Sequence, residues 1–315
     1  MALCLCVVVP PVAAAKEPAI TIRAGKSDSL NHALAVQFAE AVAVAVNGAY
    51  TLDVQESQGS IANVMDTAKA PANYLFTAGS AVIGAAQRGQ KPFAPNPRYA
   101  DIRALVPIPP QTVHWVVRQD SDITSLYGLA GQIFISGAKG SVAERVTSEV
   151  FEEIGIDRDV QIMDIDAAAA PAALKAKQVS GFAIAGPYPL PALVALAGTT
   201  PIRLLSLPEL QLRKVAAGDD SIAAEQVPKR AYPGLESDAT VLALPAGIYT
   251  TTRMSDATAY AVTKAFWSQR PALEQKNPPW QAVSLAMLAT LGVRLHPGAL
   301  RYYRETHVPV PKALR

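Results

Sequence analysis

The side chains best suited to chemistry lie in short runs of glycine, hydroxyl and lysine residues that end an apolar stretch and precede a helical pattern. "SGAKGSVAE" carries Lys139, Gly140, Ser141 and Val142. Small residues let backbone N–H groups approach a ligand closely. Ser141 suits a helix N-cap, and a helix N-terminus carries partial positive charge, so the run reads as a seat for an anion. It lacks the Lys-Ser or Lys-Thr ending of a phosphate loop, and no G-x-G-x-x-G fingerprint occurs. "AGKSDSLNHA" is a matching loop, with Gly25, Lys26 and Ser27 able to face a carboxylate and Asp28 or Ser29 placed to cap the next helix. "ESQGSIAN" offers Gly59 and Ser60, and "LFTAGSA" offers Thr77, Gly79 and Ser80. In "AGPYPLPA", Gly186 and Pro187 turn the chain and Tyr188 can present a phenol. Each run also has an ordinary reading, as a plain turn between strand and helix with small residues for packing or, for Tyr188, a proline-stiffened turn with a half-buried ring. Together they describe a pocket of hydroxyls and amides suited to a small polar anion.

Catalytic sets are harder to assemble. The histidines are His32, His114, His296 and His307, and none falls in a zinc-binding spacing. There is no G-x-S-x-G elbow. His32 stands beside the first loop and suits either a ligand hydrogen bond or helix packing, and His114 follows a strand-like run at a candidate crossover. Asp164 and Asp166 share one face of a short strand, whose ordinary reading is a solvated strand end. No nucleophile, base and oxyanion donors fall in one constellation, so no catalytic residue, metal ligand or cofactor motif is assigned.

The elements that position these loops alternate. "AITIRAG", "YTLDVQES" and "YLFTAG" read as strands, with helices at "LNHALAVQFAEAVAVAV" and "SIANVMDTAKA" between them. Leu30, Leu34, Phe38 and Val42 recur every four residues, the spacing of an apolar helix stripe. "IRALVPIPPQTVHWVVR" reads as two strands split by prolines. The alternation restarts at "LYGLAGQIFISGAKGSVAERVTSEVFEEIGI", where Val142, Val146, Val150 and Ile154 form a second stripe. It continues through "VQIMDI", "AAPAALKAKQ", "GFAIAG", "LPALVALAG" and "IRLLSL", crosses the turn-rich "VPKRAYPGLESDA", and returns to strand at "TVLALPAGIYTT". The tail reads as helical, "PWQAVSLAMLATLG" included. Strand and helix in alternation predict α/β lobes whose loops at strand carboxyl ends meet ligand.

The 315 residues suffice for two lobes. A net charge of +2 argues against nucleic acid or an anionic membrane surface as partner. "MALCLCVVVPPVAAA" is too short to span a membrane and ends in an A-x-A-like site, so residues 1–15 are expected to be the remnant of a signal peptide cleaved near Ala15. Both cysteines, Cys4 and Cys6, lie inside it, which leaves the mature chain without thiol chemistry or disulfides.

"LHPGALRYYRE" resembles the C-terminal signature of TAXI-type solute-binding subunits of TRAP transporters. "QGSIANV" is similar to the Gly-Gly-Ser segment of that family and keeps Gly59, Ser60 and Asn63. "SGAKGSVAE" is similar to its Gly-Ser-Gly-Thr-Glu loop and keeps Gly140, Ser141 and Glu144, and "AGPYP" is similar to its Ala-Gly-x-Pro turn. The resemblance implies a class II periplasmic-binding-protein fold, with two α/β lobes of mainly parallel sheet joined by hinge strands. It places lobe I at 16–113 and 239–315 and lobe II at 114–238. It further implies a periplasmic monomer that captures a small organic acid or amino acid (a dicarboxylate, a 2-oxoacid or a glutamate-like molecule) and delivers it to TRAP membrane permease subunits. A sensory binding module and an enzyme acting on an organic acid are the alternatives. Asn31 and His32 replace the usual aromatic pair of the family, Gly79 and Ser80 lack its acidic neighbour, Val142 and Ala143 replace its Gly-Thr, and Ser180 stands where Asp is common. Those departures imply a ligand without an ammonium group, with Lys26 and Lys139 favouring a carboxylate or else facing solvent.

Overall fold

The computed structural model describes residues 19–27, 29–165, 167–218 and 222–315. The expected signal peptide with its cysteines, and the candidate residues Asp28 and Asp166, lie outside them. The chain forms a mixed α/β structure of two lobes, each a sheet flanked by helices. In the first lobe, parallel strands β1 (Ala19–Arg23), β2 (Thr51–Gln55) and β3 (Tyr74–Gly79) alternate with helices α1 (Leu30–Val46), α2 (Ser60–Asp66) and α3 (Ser80–Gln87). Leu34, Phe38 and Val42 of the predicted stripe are buried, and Leu30 packs at the margin. Burying side chains of this size contributes about 1.5–3 kcal/mol each.

The proline-bearing segment expected to form two strands is instead one strand, β4 (Ile102–Arg118), of 17 residues. It runs antiparallel to β10 (Ala239–Thr251). Pro107 takes its place opposite Gly247 inside the ladder. Pro109 and Pro110 fall at a bulge, where the register jumps between Leu244 and Ala246 and leaves Pro245 opposite them. A bulge relieves the ladder of hydrogen bonds that proline lacks the N–H to make, so the prolines bend the strand without ending it.

In the second lobe, β5 (Ile133–Ile135), β6 (Gln161–Ile162) and β7 (Gly181–Gly186) are joined by α4 (Val142–Ile154) and α5 (Ala170–Lys175). Helix α6 (Pro191–Ala197) leads to β8 (Ile202–Leu204). Two further elements were not anticipated: helix α7 (Glu209–Gly218), and strand β9 (Ala223–Val227), which pairs with β10. The main sheet path is β2-β1-β3-β10-β4-β7-β5-β6. Two apolar cores result. Strand β4 gives Ile102 to Ile108 to the first and Val113 to Val117 to the second, while β10 gives Val241 and Leu242 to the second and Ile248 and Tyr249 to the first. Two strands therefore pass through both lobes.

The tail returns to the first core through α8 (Asp256–Lys276) and α9 (Pro297–Glu305). The helix expected over 279–292 is replaced by 3-10 turns at Pro278–Ala282 and Leu285–Thr290. The HPGA stretch is a packing device. His296 is 1% exposed; its Nε2 meets Met254 O at 3.1 Å, and its Nδ1 accepts the N–H of Gly298 at 3.2 Å, which caps α9. A Cβ on Gly298 would stand 2.1 Å from Asp256 O, so only glycine lets α9 lie this close to α8. Tyr303 anchors the same helix to β4 by donating to Leu105 O at 2.7 Å.

Candidate ligand-binding site

The register at the crossing decides where the loops meet. Gly79, the last residue of β3, pairs with Ala246 of β10, and Gly186, the last of β7, pairs with Thr112 of β4. Thr112 in turn pairs with Ala243. The carboxyl ends of parallel strands from both lobes thus converge on one short crossing, where α/β sheets bind ligands.

On the first-lobe side, the loops are tied together from below. Asn63 of α2 is fully buried, and its Nδ2 donates to Arg23 O, Ala24 O and Thr77 O at 3.2, 2.7 and 3.0 Å. Ser57 N donates to Gly25 O at 3.1 Å, and Ser57 Oγ accepts the N–H of Gly59 at 3.1 Å. These bonds set the Gly25 loop beside the Gly59 loop. Ser29 caps α1 by accepting the N–H of His32, and its Oγ sits where a Cβ on Gly25 would be, 2.4 Å away. Lys26 and Ser27 are exposed, while His32 is half-buried, its Nδ1 without a hydrogen-bond partner among the described residues. Ser60 and Gly79 are half-buried and Ser80 is buried.

On the second-lobe side, Ser141 caps α4, accepting from Glu144 N at 3.2 Å. The N–H of Gly140 is bound by the Glu144 carboxylate, and Ser141 N is bound by Ala138 O. The N–H groups of Val142 and Ala143 have no partner among the described residues. A cavity of about 210 Å³ opens beside them, bounded by Gln111 of the crossing strand, Gly137, Ser141 and Val142, with Ala183 and Ala185 of β7 as its apolar wall. Gly137 has φ +122°, and a Cβ there would meet Ala143 Cβ at 2.8 Å, so glycine is required to bring the loop against the helix. Lys139 and Gly140 are exposed.

Two predicted contacts are spoken for internally. Thr77 is fully buried and its hydroxyl donates to Ala24 O at 3.2 Å, so it supports the first loop rather than meeting a ligand. Tyr188 is 4% exposed, and its hydroxyl reaches Glu225 Oε1 and Gln226 O, both at 3.3 Å. Gly186 and Pro187 are buried with it. Burial pushes the Glu225 carboxyl up to about 6 and the Tyr188 phenol up as well. His114 continues this buried polar group: Nδ1 meets Thr112 O at 3.0 Å and Nε2 meets the Tyr232 hydroxyl at 3.0 Å, and burial lowers its pKa to about 4. Glu225 and Tyr232 were not singled out in the sequence. Asp164 is exposed, as a solvated strand end would be. No metal-holding group of His, Cys, Asp and Glu occurs among the described residues.

A model of the NMT1-like family matches residues 24–306. The chain belongs to the NMT1-like family. The NMT1-like match takes in every candidate loop and ends just past α9. Among solved structures, a TctC solute-binding protein from Polaromonas is similar at 11% identity over 84% of this chain and 86% of that one, with a TM-score of 0.53. That likeness shows the fold, a two-lobed periplasmic-binding-protein architecture. The aliphatic sulphonate-binding protein SsuA from Escherichia coli covers 92% of this chain and 84% of its own at 17% identity, with a TM-score of 0.44. MatC from Rhodopseudomonas palustris, with bound malate, covers 87% and 88% at 12% identity, with a TM-score of 0.46.

Proposed function

We propose that this NMT1-like protein is an extracytoplasmic solute-binding subunit that captures a small organic acid between its lobes and delivers it to a TRAP-type permease. The observation that carries the reading is the convergence of strand carboxyl ends from both lobes on the β4–β10 crossing, with a cavity at residues 137–143. The ligand carboxylate rests on the N–H groups of Val142 and Ala143, at the positive end of α4. Its carbon chain lies on the apolar wall of β7, and Lys26 and Lys139 add long-range attraction. Among the described residues the cavity lining holds no carboxylate, and the nearby Glu144 carboxylate is engaged by the Gly140 N–H, which supports a ligand without an ammonium group. Solute shifts the open–closed balance by binding the closed form better, and that shift is the signal to the permease. The TAXI assignment rests on the HPGA stretch, the periplasmic location on the N-terminal apolar segment, and the protein acts as a monomer. The lobe exchange falls at about residues 109–112 and 243–247, where the bulge joins the two cores.

A thermal-shift screen with acetate, succinate, 2-oxoglutarate, glutamate and alanine tests this. A ligand at 100 times its Kd stabilises the folded state by about 2.7 kcal/mol. Carboxylates without an amine are expected to raise Tm, and Gly137→Ala is expected to weaken that response. Stabilisation by amino acids alone would refute the ligand class, and no response to any acid would refute the function.

A further inference from the structure

The row of side chains that β4 turns toward α4 changes character where the lobes meet. Trp115 ties that face to the helix, its Nε1 donating to Thr147 Oγ1 at 3.0 Å, and Val113, two residues back, is fully buried in the second core. Alternation along the strand puts Gln111 next in the row. Ala183 pairs with Trp115 and Ala185 with Val113, so the apolar wall of the cavity lies on the same face as Gln111. Strand β7 covers β4 only from Thr112 onward, and Gln111–Leu244 is the last regular pair with β10 before the bulge. Gln111 is thus half-buried at the edge of the second core, lining the cavity, and its carboxamide makes no hydrogen bond among the described residues.

We propose that Gln111 is a specificity-determining residue of this site: its carboxamide hydrogen-bonds a hydroxyl group on the carbon chain of the bound acid, so the pocket selects hydroxy acids over the same acids without the hydroxyl. The other polar side chain in the lining is Ser141, whose Oγ already accepts the N–H of Glu144. A carboxamide offers two N–H donors and a carbonyl acceptor and carries no charge. It therefore meets a neutral hydroxyl in either sense of the bond, while the carboxylate keeps the N–H groups of Val142 and Ala143. An acid that lacks the hydroxyl leaves the carboxamide enclosed without a partner, and this asymmetry is what gives a hydrogen-bonding site its discrimination. A leucine here would extend the buried row of Trp115 and Val113, so the polar side chain serves the cavity and not the core.

The inference rests on the reading that the chain binds an acid at α4, and it adds the residue that reads the rest of the molecule. The test is calorimetric titration of the full chain with propionate against lactate and succinate against malate, pairs that differ by one hydroxyl. Wild type is expected to bind the hydroxy acid of the better pair roughly five- to fiftyfold more tightly than its partner. Gln111→Met keeps the length of the side chain and removes the amide. It is expected to bring the two affinities together by weakening the hydroxy acid, with the unsubstituted acid bound as in wild type. Gln111→Asn keeps the amide on a shorter stem and is expected to retain part of the preference. A preference that survives in Gln111→Met, or a wild type that binds both members of each pair equally, overturns this inference and leaves the carboxylate seat standing. Loss of the unsubstituted acid together with the hydroxy acid in both variants also overturns it, because the residue then supports the cavity and does not read the ligand. Absence of binding of all four acids by the wild-type chain overturns both the inference and the reading beneath it.

Discussion

Asn63→Ala is the substitution that most directly links packing to ligand binding. One amide group donates to three backbone carbonyls, two at the end of β1 and one in β3, and it sits under the Gly25 and Gly79 loops. Truncation strips a partner from Arg23 O and Thr77 O, while Ala24 O keeps the Thr77 hydroxyl. A buried polar group left without a partner costs about 1–3 kcal/mol, and the side-chain void adds to that. The expected loss is about 2–4 kcal/mol, or roughly 5–15 °C in Tm at the slope usual for domains of this size. Urea unfolding followed by circular dichroism measures it. Asn63→Asp supplies an internal control. Its carboxylate would face carbonyl oxygens, so the folded state holds it protonated and its pKa is raised above the unfolded value. The group therefore binds its proton more tightly when folded, and the deficit of this variant is smallest below about pH 4 and grows as pH rises. A loss under 1 kcal/mol in Asn63→Ala, or an Asn63→Asp variant indifferent to pH, would refute the clamp.

Other substitutions address other parts of the molecule. Gly298→Ala forces a methyl group onto Asp256 O and is expected to destabilise by about 3 kcal/mol or more, read as a fall in Tm; an unchanged Tm would remove the packing account of the HPGA stretch. His114 is neutral in the folded state down to about pH 4, whereas the unfolded histidine takes up its proton near 6.5, so this residue withdraws stability as pH falls from 6.5 toward 4, by about 3 kcal/mol in all. Glu225 acts in the opposite sense: its folded pKa of about 6 lies above the unfolded value, so it favours the folded state at low pH and costs about 2 kcal/mol above pH 6. Glu225→Gln should then raise stability above pH 6 and leave a steeper acid slope in chemical-denaturation profiles, and a parallel profile would contradict the buried assignment.

The loops were legible because their signal is local. Glycine and hydroxyl residues that follow an apolar run and precede a helical stripe report a strand end whatever the rest of the chain does, and residues 25–27, 59–60, 79–80 and 137–141 lie at such ends in the structure. What each side chain does there depends on partners far along the chain. Thr77 is taken by Ala24 and Tyr188 by Glu225, 53 and 37 residues away, and no periodicity encodes that. Ser141 and Glu144 stand in the S-x-x-E spacing of a capping box, a signal that would have warned that part of the α4 seat is occupied by its own carboxylate. Strand β9 is hard to read from sequence because four of its five residues are alanine, glutamate and glutamine, and Val227 at its end is its one β-branched residue.

The crossing shows how a local rule misleads when the surrounding sheet supplies the missing term. Proline ends a strand because it lacks a donor and clashes with the ladder, and Pro107, Pro109 and Pro110 invite two short strands. In the sheet, β7 joins β4 only from Thr112 onward, so the prolines lose no bond on that side. On the other side the bulge sets Pro245 against Pro109 and Pro110, pairing residues that lack donors with one another. One strand then costs little more than two, and it has a consequence that two would lack. A continuous β4 beside a continuous β10 carries each lobe's core into the other, which fixes the strand ends of both lobes at one place while leaving a weakly bonded segment between them. The same prolines that obscure the strand in the sequence therefore place the weakly bonded segment at the crossing, beside the cavity at α4.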